Sequence, residues 1–421
     1  MIKIYEKRIN SYKTICIWRN VSKLVITSLF IAFLLITAFT GCNNANRTNA
    51  GITLPSDLAS FKAIDTNNVW VWQCESFSPS GLKLFKTGNG GKSWTKVTIP
   101  VELFPKTSSR GEGLLPAFYF LNTKTIYIME IEGAKLIVLK TNDGGNHWDR
   151  YTSKVAEYAH FVSTVHFVNP DKGYIIALSE GGAGQQTKYL YSTSDGGKTW
   201  SKLKVTDSIS PDSPSGLSPV EGPITMNFID SNRGIILISS ILSPEITMYS
   251  TTNSGKSFEK KILPVPPQYE KYCVTFLSQP VFSNNQGIFV SLFYRNNDIK
   301  EISQPVIYKS TDYGNIWIPF VVKGFNGASV NIKGLPMFFL DANYGWTILH
   351  SNLYVTKDGG KVWSKIHSGA LSNAIKDYPL IVTSEFVTSE NGWILLKSKD
   401  YKSAELLKTD DNGIHWDVTG K

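Results

Sequence analysis

The hydrophobic positions of this 421-residue chain follow a short beat. Brief apolar runs alternate with clusters of Gly, Asn, Asp, Ser and Pro, and no stretch after residue 42 carries the longer stripe of an amphipathic helix. Pairs of such runs flank a tight turn, as in "VHFVNPDKGYIIAL" (165–178), "MNFIDSNRGIILI" (226–238), "MFFLDANYGWTIL" (337–349) and "SEFVTSENGWILL" (384–396). A third apolar run follows, for example "KLIVLK", "KYLYS" or "PVIYKS". Then comes one stretch that returns along the whole chain.

That stretch reads Ser or Thr, any residue, Asp or Asn, any residue, Gly, two of any kind, then Trp or Phe. Its seven copies are "TGNGGKSW" (87–94), "TNDGGNHW" (141–148), "TSDGGKTW" (193–200), "TTNSGKSF" (251–258), "STDYGNIW" (310–317), "TKDGGKVW" (356–363) and "TDDNGIHW" (409–416). Three copies end in Gly-Lys-Ser/Thr, like a phosphate-binding loop. Such a loop also needs a Gly five residues earlier, where this chain has Lys86, Ser192 and Ser250. A nucleotide site is therefore excluded.

The final aromatics fall at 94, 148, 200, 258, 317, 363 and 416, a period that marks a repeat architecture. Each unit supplies four antiparallel strands, A to D, with tight A–B and C–D turns. One such sheet cannot cover its own faces, whereas seven packed radially can. The sequence thus predicts an all-β fold, a seven-bladed β-propeller of four-stranded blades. The repeated stretch is the C–D hairpin. Its first hydroxyl and its Asp or Asn accept turn N–H groups, its Gly takes a conformation a β-carbon would hinder, and its aromatic covers the hairpin base. The structural positions are Asn89, Trp94, Asp143, Trp148, Asp195, Trp200, Asn253, Phe258, Asp312, Trp317, Asp358, Trp363, Asp411 and Trp416. Asn89, Asn253 and Phe258 depart from Asp and Trp, so blades 1 and 4 are expected to have weaker hairpins.

The motif resembles the Asp-box (BNR) repeat of sialidases and related propellers. The Gly-Trp or Gly-Tyr of strand B beside it resembles the photosystem II assembly factor-like propellers, over about residues 57–418. The resemblance implies an assembly or binding platform.

Composition adds the compartment. The chain is 42% hydrophobic and 12% aromatic, enough for a large core. Lys3, Lys7, Arg8, Lys13, Arg19 and Lys23 precede the apolar run "LVITSLFIAFLLITAFTG" (24–41), and Cys42 follows directly. This resembles a bacterial lipoprotein signal: residues 1–41 as signal peptide, Cys42 as the lipidated residue, 42–56 as a polar linker and 57–421 as the propeller. An uncleaved signal anchor is the alternative. Both place the chain at the cell membrane, facing the extracytoplasmic side. Of the net charge of +9, the first 41 residues hold six Lys/Arg and one Glu, which leaves about +4 without a concentrated basic patch, so nucleic acid is not an expected partner. Cys74 and Cys273 lie far apart with no metal-ligand spacing; free thiols are expected, with no metal and no cofactor.

In such a blade the A–B and C–D turns share one face and the variable B–C and D–A segments share the other. Binding groups collect on irregular loops of a rigid scaffold. The candidate partner-binding residues are therefore Arg110, Glu112, Glu270, Lys271, Arg295, Lys376, Asp377 and Tyr378. Catalytic signatures are lacking: no H-E-x-x-H, no G-x-S-x-G, and among the few arginines Arg150 and Arg233 sit on the turn side. Xyloglucan hydrolases built on similar repeats pair two propellers, and only one is present here. His160 and His166 fall on one face of a strand, a packing pattern. The expectation is a monomeric, non-catalytic lipoprotein that binds or assembles an envelope protein. The alternatives are a propeller that binds cell-wall or extracellular glycan and an atypical glycoside hydrolase.

Overall fold

The computed structural model describes residues 52–74, 81–100, 116–205, 216–296, 300–302, 304–323 and 337–420. Arg110, Glu112 and Cys42 lie outside them. Seven antiparallel sheets follow one another along the chain, each with strand order A-B-C-D. They span 60–97, 117–154, 161–205, 224–262, 273–321, 337–366 and 380–419. Blade 5 carries two additional short strands, Val281–Ser283 and Lys300–Ile302, both paired to its B strand.

Why B and C strands read as unbroken apolar runs follows from the packing. The buried side chains form seven clusters, one at each blade interface. In strand B of blade 2, Ile126 and Ile128 face blade 1, while Tyr127 and Met129 face blade 3. Alternate residues therefore serve opposite neighbours, and both faces must be apolar. D strands, at the outer edge, alternate or turn polar, as in Asp149–Lys154.

The Gly-Tyr and Gly-Trp pairs have a specific cause. A Phe at the end of strand A lies flat over the Gly that begins strand B. A Cβ on Gly173 would sit 2.6 Å from the Phe167 ring, and the same holds for Gly234 over Phe228, Gly345 over Phe339 and Gly392 over Phe386. Aromatics of the preceding blade then stack on that Phe: Tyr127 on Phe167 at 4.0 Å, Tyr174 on Phe228 at 3.5 Å, and Trp346 on Phe386 at 4.1 Å. Glycine makes room for the ring that joins two blades.

The ring closes by packing. Trp393, Leu395 and Leu406 of blade 7 share a cluster with Phe61, Val69 and Phe85 of blade 1, and Lys62 pairs with Glu385 at 3.0 Å. Residues 52–56, assigned by sequence to the linker, form a strap across this joint. Ile52 N–H donates to the Trp94 carbonyl and Leu54 N–H to that of Gly420, while the Ser56 carbonyl accepts from Ala404.

The seven C–D turns are alike in detail. The first hydroxyl accepts the N–H of the fifth-position Gly at 2.8–3.0 Å. The Asp or Asn oxygen accepts the N–H of the seventh residue at 2.9–3.0 Å. That Gly has φ between +80° and +90° in every copy, which explains its presence. Asn89 and Asn253 keep these bonds, and their amide groups also donate to Ser93 and Ser257. The amide pairs with serine as a carboxylate pairs with Thr199, His147 or His415, whereas Phe258 lacks the Nε1–H that Trp200, Trp363 and Trp416 donate to the turn Gly carbonyl.

Two further links escape a motif search. In all seven blades the fourth residue of the turn donates its N–H to a carbonyl of the A–B turn, at 2.8–3.0 Å. Neighbouring turns are then joined around the ring. Lys86 Nζ donates to the Gly144 carbonyl, Lys140 to Gly196, Tyr174 Oη to Ser254, Lys309 to Asp358, and Trp346 Nε1 to Asn412. Arg233, ion-paired to Asp230, stacks on Tyr313 at 4.0 Å. Lys408 of blade 7, paired with Asp410 of its own turn, has its amine 2.9 Å from where a Gly90 Cβ would lie in blade 1.

Two substitutions test the aromatic joints. Phe167→Ala should cost about 3–5 kcal/mol by leaving a cavity between blades 2 and 3, and Gly173→Ala about 1–3 kcal/mol by overpacking the same ring. Chemical denaturation reads both, and an unchanged midpoint for either would contradict the role given to the ring.

Candidate functional site

The A–B and C–D turns share the lower face, and the B–C and D–A segments the upper. The upper face places the proposed residues in two separate groups. Glu270 and Lys271, both exposed, follow the turn Pro267–Tyr269 between blades 4 and 5. Arg295 lies on the extended B strand of blade 5, with its guanidinium 5.9 Å from the Tyr272 ring, so the structure gathers these three around Tyr272. Lys376, Asp377 and Tyr378 belong to a helix, Gly369–Asp377, and its C-cap between blades 6 and 7. Leu371 and Ile375 bury its inner face, and Tyr378 packs with them. Arg150 and Arg233 lie on an outer strand and a lower turn.

The expected shared face of His160 and His166 is corrected. Strand A of blade 3 has a bulge, with Thr164 opposite Ile176 and Val162 opposite Ala177. The extra residue, Ser163, reverses the facing of everything before it. His166 therefore points into the joint with blade 4, its Nε2 3.0 Å from the Phe228 carbonyl. Burial holds its pKa down at about 4, and that hydrogen bond opposes the shift only in part. His160 turns outward, its Nδ1 3.2 Å from Glu180.

The bulge brings titratable groups to the upper end of blade 3. Strand B runs on to Gly182 and strand C begins at Gln185, so this hairpin projects further than most. Residues 219–221 lie along it: Gln186 N–H donates to Pro219, Glu221 N–H to Gly184, and Gln185 bridges Val220. Lys188, with no exposed surface, fastens this segment by donating to the Val220 carbonyl at 2.7 Å and to Gln186 at 3.0 Å. Burial lowers its pKa to about 8, and the charge of Glu221 works the other way. The Glu221 carboxyl lies against Gly181, where a Cβ would meet it at 3.0 Å. Its Oε2 is buried with no hydrogen-bond partner among the described residues. Glu180, the residue before Gly181, is exposed, as is Tyr158, two residues before His160.

Tyr158, His160, Glu180, Lys188 and Glu221 thus share one blade end. Sequence reasoning passed over them because they come from three segments. The nearest signal was the loop "SEGGAGQQTK", whose Glu and Lys bracket the site. This blade end carries one carboxylate within 3.2 Å of an imidazole, a second packed on the hairpin, and an exposed phenol ring that offers a stacking surface. No three His, Cys, Asp or Glu among the described residues gather as a metal-ligand set. Cys273 is a free thiol, half-buried.

No family model matches the chain, and no curated protein matches it in sequence. Solved structures do match in shape. A GH74 xyloglucanase from Xanthomonas campestris superposes with a TM-score of 0.52 at 12% identity, over 86% of this chain and 53% of its own. An ancestral GH74 enzyme gives 0.46 at 14% identity over 87% and 45%, and an α-L-arabinanase from Penicillium chrysogenum 0.43 at 12% over 71% and 93%. The chain spans about half the length of the xyloglucanase. At this identity the likeness establishes the shared seven-bladed fold.

The xyloglucanase neighbour corrects two expectations: that the chain is a non-catalytic platform for an envelope protein, and that it is not an enzyme. The propeller it shares is the scaffold of a xyloglucanase.

His166 yields a pH prediction. Its folded pKa lies below that of an unfolded His, so the stability it contributes is complete above pH 6.5 and is lost as the pH falls toward 4. The loss should be about 3 kcal/mol over that window. It should vanish in His166→Gln, measured by denaturation at stepped pH; an identical decline in that variant would contradict the assignment.

Proposed function

We propose that this chain is a glycan-directed propeller whose upper face, at the end of blade 3, holds a polysaccharide and cleaves it. The repeated turns are read as Asp-box repeats, and the chain as a lipoprotein carried on Cys42 outside the cytoplasmic membrane. One observation supports the glycan reading above the rest. At the end of blade 3, Glu221, one of whose oxygens is buried without a protein partner among the described residues, packs on Gly181 of the hairpin that also carries the exposed carboxylate Glu180, and the exposed ring of Tyr158 precedes His160, the partner of Glu180. Glycoside hydrolysis needs two carboxyl groups flanking the bond, one to protonate the leaving oxygen and one to act as nucleophile or activate water. Glu221, half-buried against the hairpin, is assigned the acid, and Glu180, open to solvent, the second role. Tyr158 would stack on a sugar ring. Lys188 acts by position, fixing the segment that carries Glu221.

The test is release of reducing ends from xyloglucan and from arabinan. Activity on one of them should fall about a hundredfold or more in Glu221→Gln and in Glu180→Gln, while Tyr158→Ala should raise KM more than it lowers kcat. Full activity in both carboxylate variants would sink the assignment of the site. Absence of both hydrolysis and binding with every polysaccharide offered would sink the glycan reading itself.

A further inference from the structure

The lower face is uneven. At the seventh position of the C–D turn, blades 1 to 4 carry Ser93, His147, Thr199 and Ser257, each bonded to the Asp or Asn of its own turn. Blades 5 and 6 carry Ile316 and Val362 instead. These give up that bond and stand 65% and 64% exposed. Ile318 of blade 5 and Ile414 of blade 7 are also open, at 67% and 50%. The three turns are neighbours, joined by Lys309 to Asp358 and by Trp346 to Asn412. Exposed aliphatic side chains grouped on neighbouring turns are the kind of apolar surface that marks an interaction site.

The path of the chain indicates what covers this patch. The strap begins on the lower face, where Ile52, itself exposed, bonds to the last residue of the blade 1 turn, and it climbs to Ala404 at the upper end of blade 7. Residue 52, where the described chain begins, thus lies on the lower face at the joint of blades 7 and 1. Ten residues, 42–51, separate this point from the apolar run 24–41. Fully extended they reach about 35 Å at most.

We propose that the lower rim of blades 5 to 7 is a membrane-docking surface, in which Ile316, Ile318, Val362 and Ile414 enter the lipid interface. This rests on the lipid-anchor reading above. Such side chains settle about 5–10 Å into the headgroup boundary. Lys361, exposed beside Val362, can extend toward lipid phosphates while its stem stays on the apolar side. The upper face, with Glu180 and Glu221, is then directed away from the membrane.

The experiment uses the full lipidated chain lacking Cys74 and Cys273, in vesicles of phosphatidylethanolamine and phosphatidylglycerol with brominated acyl chains. A fluorophore is placed by Ile316→Cys, Val362→Cys or Ile414→Cys, and on the upper face by Leu242→Cys or Ile262→Cys. Quenching at the three lower positions should exceed that at the upper two by about twofold or more. Vesicle flotation with equal or reversed quenching overturns the docking face and leaves the anchor standing. Failure to float overturns the anchor and the docking face together. Neither result bears on hydrolysis of glycan, which is read separately.

Discussion

Each blade of this protein is a sheet with two apolar faces and no cover of its own, and the whole structure depends on supplying that cover from the blades on either side. Strands B and C divide their residues between two neighbours, so the seven interfaces form a cycle in which every sheet is both core and lid. The stacked pair of a B-strand aromatic on an A-strand Phe sets the approach of successive blades, and the Gly beneath the ring lets it lie flat. Because the last interface, between blades 7 and 1, rests on side-chain packing and a short strap, the two ends of the chain must meet before the first blade is covered.

The lower face locks this arrangement and the upper face is released by it. Turn to turn, hydrogen bonds run within each blade and on to the next. Asp143 and Asp411 show how strongly these turns hold charge. The His147 N–H and ring hold the Asp143 carboxyl well below the usual range; at Asp411 slight burial opposes the shift, and His415 outweighs it. With one face fixed in this way, loops on the other can vary in length without disturbing the blades. The long hairpin of blade 3 and the helix between blades 6 and 7 are such variations, and the first gathers the candidate site.

The sequence displayed the fold well and the site poorly, for physical reasons. The seven turns were legible because each is local: one hydroxyl, one carboxylate or amide, one left-handed Gly and one ring within eight residues. The strand pairs were legible because double-sided burial leaves an unbroken apolar run. Contacts between elements were not. Nothing in the spacing of Lys140 and Gly196 announces their bond, and the strap at 52–56 looks like linker until Leu54 meets Gly420. The bulge at Ser163 undid the pairing of His160 with His166. Glu180 and Glu221, far apart in sequence, reach the same blade end because Lys188 fastens the second segment to the hairpin. Motifs and dispersed arginines alone favoured a non-enzymatic platform, a reading the xyloglucanase propeller corrected.

A crystal structure of the chain soaked with a xyloglucan or arabinan oligosaccharide would test the central claim most directly. The account predicts a sugar at the upper end of blade 3, one ring against Tyr158 and a glycosidic oxygen within hydrogen-bond reach of Glu221. Sugar bound on the lower face, or seated on the upper face around Tyr272 and Arg295 with blade 3 empty, would contradict it.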